Sequence, residues 1–349
     1  MRLAAQEIQG SSRSPAEVVH RMGAMQGQDL PQVLRAIAIR SAPGTGVADV
    51  RTAFDRGELV RSWPMRGTLF ATTPEHLAVI LHWTAGRVHA SAARRREQLG
   101  IDRRVVELAR DVADETLGPA DRTRAELLAA WEAAGIATAG GCGYHLIAHL
   151  AIAGRLQWGR FAGAEQLLTL RRPLQVADPE AGLARVVHAY LEARGPASVD
   201  DAAWWLKLPK TLIRRAVDGL DDALEVRVEG QPMWVVGCSG GAGGGAALGE
   251  AAAGGAASDP VLVPGFDEWL LGYQDRSLVA SDAALAALVP GGNGVFRPAV
   301  LVDGRVVGTW RIPAGRSSRA VEPVFELVEP LPDRAIGGIR RALERWPHR

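Results

Sequence analysis

An α+β chain is what this sequence predicts, and three observations carry that expectation. Helical patterns followed by a pair of strands recur in three stretches, near residues 14–73, 121–172 and 197–236. Residues 258–349 read mainly as strands around an Asp303-Gly304 turn, a strong hairpin signal, and end in a helix. Between them, residues 237–257 are almost all Gly and Ala and have nothing with which to bury a core, so a flexible insertion is expected.

In the first stretch Ser14-Pro15 is a helix start, because Ser caps and Pro suits the first helical position. Val18, Val19, Met22 and Met25 follow at helical spacing, and Pro31 opens a second helix with Val33, Leu34, Ile37 and Ala38 on one face. Pro43 and Gly44 break it, and a third helix runs from Val47 to Arg56. Leu59 to Trp63 and Gly67 to Ala71 then read as strands joined through Pro64 to Arg66. Three helices and a hairpin make a winged helix-turn-helix. A helical linker should follow from Pro74 to about Glu115, carrying Arg94, Arg95 and Arg96, which are either a solvated face or phosphate contacts.

The second stretch opens on a capping box, Thr123 with Glu126, and buries Leu127, Leu128 and Trp131. Tyr144 to Ala153 is its recognition-type helix, and residues 154–160 begin its wing. In the third, Ser198 caps a helix over Asp200 to Leu206. Thr211 to Leu220 is the next helix, with Leu212, Ile213 and Val217 inward and Arg214 and Arg215 outward. Leu224 to Val228 and Pro232 to Val236 alternate around a Gly-containing turn, which is a hairpin. Domain bounds follow: 1–73, a helical linker 74–120, 121–195, 196–236, the insertion, and a C-terminal domain over 258–349. That last domain is expected to be a small barrel, with strands including Val321 to Val328 and a closing helix over Ala335 to Trp346.

Composition bounds the function. With 349 residues, 47% of them hydrophobic and 23% charged, the chain is a globular protein of two or three domains or several small modules. A net charge of +1 argues against a non-specific DNA coat. All the basic residues but Lys207 and Lys210 are arginine. Its fork suits phosphates and guanine edges, although a GC-rich coding bias enriches arginine too. Cys142, His145 and His149 offer three candidate metal ligands, but they sit in an apolar run where core packing is favoured, so no metal is expected. Cys142 and Cys238 form no CxxC pair. No phosphate loop, HExxH or dinucleotide fingerprint is present, and no cofactor is expected. The first ten residues have no signal-peptide core, and no run of about 18 apolar residues exists, so a cytoplasmic location is expected.

Four segments together resemble a known family. They are Gln26-Gly27-Gln28-Asp29; Val60 to Trp63 with Met65 to Leu69; Pro264 to Tyr273 with Asp275-Arg276; and Asp303 to Trp310. In this order they are similar to the winged-helix DNA-binding family that contains the AlkZ/YcaQ-type bacterial DNA glycosylases, and the likeness covers nearly the whole chain. The resemblance implies three tandem winged helix-turn-helix modules in a C-shape around duplex DNA plus a β-barrel-like C-terminal domain with a terminal helix. It implies a monomer and excision of N-alkylated purines, some bulky or crosslinked, as in self-resistance to genotoxic products. The family's Gln-x-Gln motif falls on Gln26 and Gln28. Where the family often carries His, this chain has Phe70.

An N3- or N7-alkylated purine is cationic and leaves as a neutral base, so an enzyme needs only to place a water and tolerate an oxocarbenium-like sugar. Two amides can aim a water, but neither titrates, so neither is a general base. Without the surrounding motifs, Gln26 and Gln28 would read as a polar helix end. Asp29 either caps the helix at Pro31, which its position favours, or faces the sugar as a supporting charge. Arg61, Arg66 and Thr68 are wing residues suited to DNA contact or to plain strand structure. For Asp267, Asp275 and Arg276, hydrogen bonds within the C-terminal barrel are favoured over DNA contact. The competing reading is a non-catalytic DNA-binding or regulatory protein, since tandem winged helices serve either purpose.

Overall fold

A computed structural model of the chain describes residues 1–171, 175–237, 259–313 and 323–346. Most of the Gly/Ala tract and Cys238 lie outside the described residues. A short α1 (Arg2–Ala5) precedes α2 (Pro15–Met22), β1 (Ala24–Gln26), α3 (Leu30–Ala38), α4 (Val47–Asp55), β2 (Val60–Met65) and β3 (Thr68–Thr72). Ser14 caps α2 in a full capping box with Glu17. The helix stops at Gly23, whose φ of 73° favours glycine, so Met25 is not on the helix as its spacing suggests but on β1.

The helical linker comprises two helices, α5 (Pro74–Gln98) and α6 (Arg103–Leu117). Gly100, at φ 68°, ends the first and Asp102 caps the second. The second stretch then supplies α7 (Arg124–Ala133), α8 (Cys142–Ile152), β4 (Leu156–Ala162) and β5 (Glu165–Leu170), with Thr123 and Glu126 forming the expected box. Before the third stretch lies α9 (Pro179–Arg194), which sequence reading missed; α10 (Val199–Leu206), α11 (Lys210–Asp218), β6 (Leu224–Val228) and β7 (Gln231–Val235) follow.

The first two hairpins do not stand apart. They join in one antiparallel sheet of order β1-β3-β2-β4-β5, bridged where Arg61 faces Trp158. Beneath it, Met65 and Phe70 share a core with Tyr190 of α9, Trp205 of α10 and Tyr273. Burying such aromatic bodies is the main force holding these units together.

The C-terminal segment comprises β8 (Val261–Val263), α12 (Glu268–Leu271), α13 (Asp282–Leu288), β9 (Ala299–Val302), β10 (Arg305–Arg311), β11 (Val324–Leu327) and α14 (Asp333–Glu344). Its four strands run in the order β11-β10-β9-β8, so among the described residues the sheet is open and not the expected barrel. Strand alternation gives it two apolar faces. Val261, Val263 and Leu301 pack with Trp269 and Leu288, while Leu262, Val300 and Val302 pack with Ile339, Leu343 and Trp346 around α14. Two helical layers cover the sheet and leave no need to close it.

His76, in the first turn of α5, stacks on His20 with ring centroids 4.6 Å apart. Burial, then the neighbouring His20, pulls its pKa down to about 4. Burial does the same to His149, beside His89. A folded pKa below the unfolded value near 6.5 means the unfolded chain binds more protons in that window. The contribution is therefore complete above about pH 6.5 and is lost as pH falls toward 4. Urea unfolding is expected to show stability falling across this range, by roughly 2–3 kcal/mol from His76. His76→Phe should flatten the slope; an unchanged slope would show that His76 is not the buried neutral group.

Candidate active site

The first glutamine ends β1, whose register on β3 sets Gln26 opposite Phe70. The pairing continues past the strand, where the Gly27 amide donates to the Leu69 carbonyl at 2.8 Å. The approach is close: a Cβ on Gly27 would lie 3.0 Å from the Ala71 nitrogen and 3.1 Å from the Phe70 carbonyl carbon. Both glutamine side chains reach the start of β3. Gln26 Nε2 lies 3.5 Å from Thr68 Oγ1, the outer limit of a hydrogen bond, and Gln28 Oε1 accepts from the Leu69 amide at 3.2 Å. Gln28 is exposed, whereas Gln26 is buried and its Oε1 has no hydrogen-bond partner.

A buried ion pair stands behind the strand. The Gln26 amide donates to Glu268 Oε1 at 2.6 Å. Glu268 Oε2 accepts from Arg194 Nη2 at 2.7 Å and from Trp205 Nε1 at 3.3 Å. Arg194 also donates to the Met22 and Ala24 carbonyls at 2.8 and 2.9 Å, so one guanidinium holds both the end of α2 and the start of β1. Arg194 and Glu268 are 0% and 1% exposed. The preceding residue makes a second such link, with Asp267 accepting two bonds from Arg40 at 2.8 and 2.9 Å. Asp267 thus binds the first stretch rather than only its own domain, as sequence reading had it. Asp275 and Arg276 do bond locally, to Ser277 and to the Leu270 carbonyl.

The other sequence-predicted residues divide by location. Asp29 caps α3, accepting from the Gln32 amide at 3.1 Å. Arg61 is turned inward, donating to the Gly27 carbonyl at 3.0 Å and lying over the Trp158 ring. Arg66 is also turned inward, between Trp204 and Phe70, and donates to the Leu271 carbonyl. Burial lowers the pKa of each arginine to about 10, which leaves both charged at neutral pH. Thr68 is half-buried beside Gln26. Phe70 is fully buried, edge-on to Trp205. Arg94 and Arg95 are exposed near the end of α5, and Arg96 folds back on the His89 carbonyl. Arg214 and Arg215 are exposed on α11, which packs on α9 and α10 and is not brought to the glutamines. Cys142 contacts the Leu99 carbonyl and His149 stacks on His89, so these two take separate partners.

Sequence reading missed Glu268 and Arg194. Glu268 sits in a quoted segment, but nothing local marks it as a partner of β1; Arg194 ends a helix that was not foreseen.

These glutamines can be set beside known proteins. The family described as DNA glycosylase AlkZ-like matches residues 19–348. The chain belongs to that family. It is a DNA glycosylase, a hydrolase of N-glycosyl bonds that acts on DNA in repair. It is 28% identical over 342 residues to an interstrand DNA cross-link repair glycosylase of Streptomyces sahachiroi, covering 93% of this chain and 88% of that one. Its fold matches the solved structure of the Streptomyces sahachiroi DNA glycosylase AlkZ with a TM-score of 0.75 at 26% identity, over 100% of this chain and 96% of that one. No helix among the described residues of this glycosylase is long and apolar enough to cross a membrane.

The Gly27 contact gives a direct expectation. In Gly27→Ala the new methyl pushes β1 off β3 and displaces both flanking glutamines. The strands must give by a few tenths of an ångström; because a full ångström at a reacting centre costs about 10²-fold in rate, a loss of up to about tenfold is expected. Single-turnover excision should fall to that extent while circular dichroism stays native; wild-type excision by this variant would show that the close approach does not set the site.

Proposed function

We propose that this glycosylase hydrolyses the N-glycosidic bond of N3- or N7-alkylated purines in duplex DNA, including bulky and crosslinked adducts, with water held between Gln26 and Gln28. The observation that carries the reading is the buried, unpartnered Gln26 Oε1 within one short strand turn of Gln28. A buried acceptor without a donor costs about 1–3 kcal/mol, and a water supplies the donor. Its oxygen forms the new bond to the sugar C1′ as the C1′–N bond breaks and the electron pair leaves with the base, which neutralises it. The water's proton passes to solvent, because an amide does not accept it at neutral pH. A pair of amides therefore suits a cationic lesion and not an ordinary purine.

The three helix-and-hairpin units are read as winged helices arranged around the duplex, and exposed Arg94, Arg95, Arg214 and Arg215 as phosphate contacts. The crosslink assignment rests on the name of the Streptomyces relative. The protein acts as a monomer in the cytoplasm and without a cofactor, since the reaction consumes only water.

The test uses three duplexes, carrying N7-methylguanine, an N7-linked interstrand crosslink, or deoxyuridine. After incubation and alkali, strand scission is expected at the first, unhooking of the second, and no cleavage of the neutral third. Failure on both cationic substrates, or equal cleavage of uracil, would overturn the reading.

A further inference from the structure

Beside Gln28 lies a cleft of about 370 Å³, on the face of the sheet that joins the first two hairpins. That volume is within the range of roughly 300–1,000 Å³ typical of small-ligand clefts. Its walls are aromatic. Trp63 and Trp158 meet with ring centroids 4.9 Å apart, and Tyr144 of α8 packs edge-on against Trp63 at 5.6 Å. Tyr144 is 38% exposed, whereas Trp63 is 2% exposed. Three wall residues hold buried polar atoms without a partner: Arg61 Nε and Trp63 Nε1, which are donors, and Gln166 Oε1, an acceptor. Each such atom costs about 1–3 kcal/mol until something pairs with it.

We propose that this cleft receives the alkylated purine base, turned out of the duplex, with Tyr144 as the movable ring that stacks on it. A base extruded from the stack is read by its edges and held between aromatic faces. N7-alkylguanine offers O6 as an acceptor for the two wall donors and its amino group as a donor to Gln166. Rotation of Tyr144 away from Trp63 opens the indole and the polar atoms beneath it. A phosphate would want a cluster of exposed cations, whereas the rim offers only Arg124 with Glu165 opposing it. The rim is open, so a bulky substituent projects to solvent. Gln28 lines the cleft and Gln26 does not, so the base meets the candidate water-holding pair through Gln28. This inference rests on the substrate class proposed above.

The test separates the two. Equilibrium dialysis with labelled 7-methylguanine measures the cleft without any reaction, and single-turnover excision measures the chemistry. Wild type is expected to bind the free base. Tyr144→Ala, at an exposed position that should not disturb folding, is expected to lose at least tenfold in base binding and in excision, and Tyr144→Phe to retain most of both. Gln166→Leu should weaken base binding with a native circular dichroism spectrum. Base binding that is absent, or unchanged in Tyr144→Ala and Gln166→Leu, overturns this inference even if excision continues. Tyr144-dependent base binding by a protein that excises nothing supports the cleft and strikes instead at the proposed reaction.

Discussion

Replacing either glutamine is expected to remove most of the activity while leaving the protein folded and bound to DNA. For Gln26→Ala the expected loss in single-turnover rate is about 10²–10³-fold, the usual effect of deleting one preorganised polar group at a reacting centre. Gln26 is the better bonded within the fold: its main-chain amide is fixed by Glu268, so truncating the side chain leaves the strand in place. Gln28→Ala should cost about as much in rate and less in stability, because Gln28 is exposed and gives up only its bond from the Leu69 amide. If the pair holds one water as proposed, the two losses should not multiply, since such residues act as a unit. Duplex affinity by fluorescence anisotropy should stay within about twofold, because the arginines proposed as phosphate contacts, Arg94, Arg95, Arg214 and Arg215, are untouched. A parallel loss of affinity and rate would make the glutamines binding residues and not the centre of the reaction.

The second large effect is on stability. Glu268→Ala leaves Arg194 buried and charged with no carboxylate, and breaking a buried pair in this way costs about 3–5 kcal/mol. It also frees the Gln26 amide, so the remaining folded protein should be slow as well as unstable. Urea denaturation of Glu268→Ala, Arg194→Met and the double variant gives the coupling directly. The double variant should recover part of the stability, because removing both charges ends the desolvation penalty that either alone suffers. It should not recover the rate, since β1 then keeps its pairing with β3 but loses the side-chain bonds to the Gln26 amide and the Ala24 carbonyl. A single variant within 1 kcal/mol of wild type would mean that the pair does not anchor the glutamine strand.

Much of the local structure was legible because it is set by neighbours. Ser14, Thr123 with Glu126, and Ser198 mark helix starts, and each opens a capping box in the structure, with Glu17 and Asp201 completing the first and third. The Asp303-Gly304 turn carries positive φ at both residues and joins β9 to β10 as its type requires. What escaped was set by distance. Strand β1 has three residues, too few to show a period, and exists because β3 pairs with it. Helix α9 has a start signal at Asp178-Pro179, but it is buried on several sides, from Leu183 to Tyr190 and Ala193, and shows no one-sided stripe. The junction of the two hairpins rests on β2 meeting β4, residues nearly a hundred apart, and the C-terminal sheet is open because helices cover both faces.

The candidate site divides in the same way. Gln26 and Gln28 were found through the motif, and Asp29 was correctly read as a helix cap. The motif could not show that Arg61 and Arg66 turn inward, since that depends on Trp158 and Trp204 arriving from other units. Nor could it show the Arg194–Glu268 pair, whose members share no local pattern.

The most direct test of the account is single-turnover excision of one N7-methylguanine from a duplex, by wild type and by the Gln26→Ala/Gln28→Ala double variant, with matched folding and DNA affinity. Alkali-labile scission by the wild type that falls near background in the double variant is the expected result. Equal scission by both proteins, or none by the wild type at enzyme excess, would contradict the assignment of this reaction to the glutamine pair.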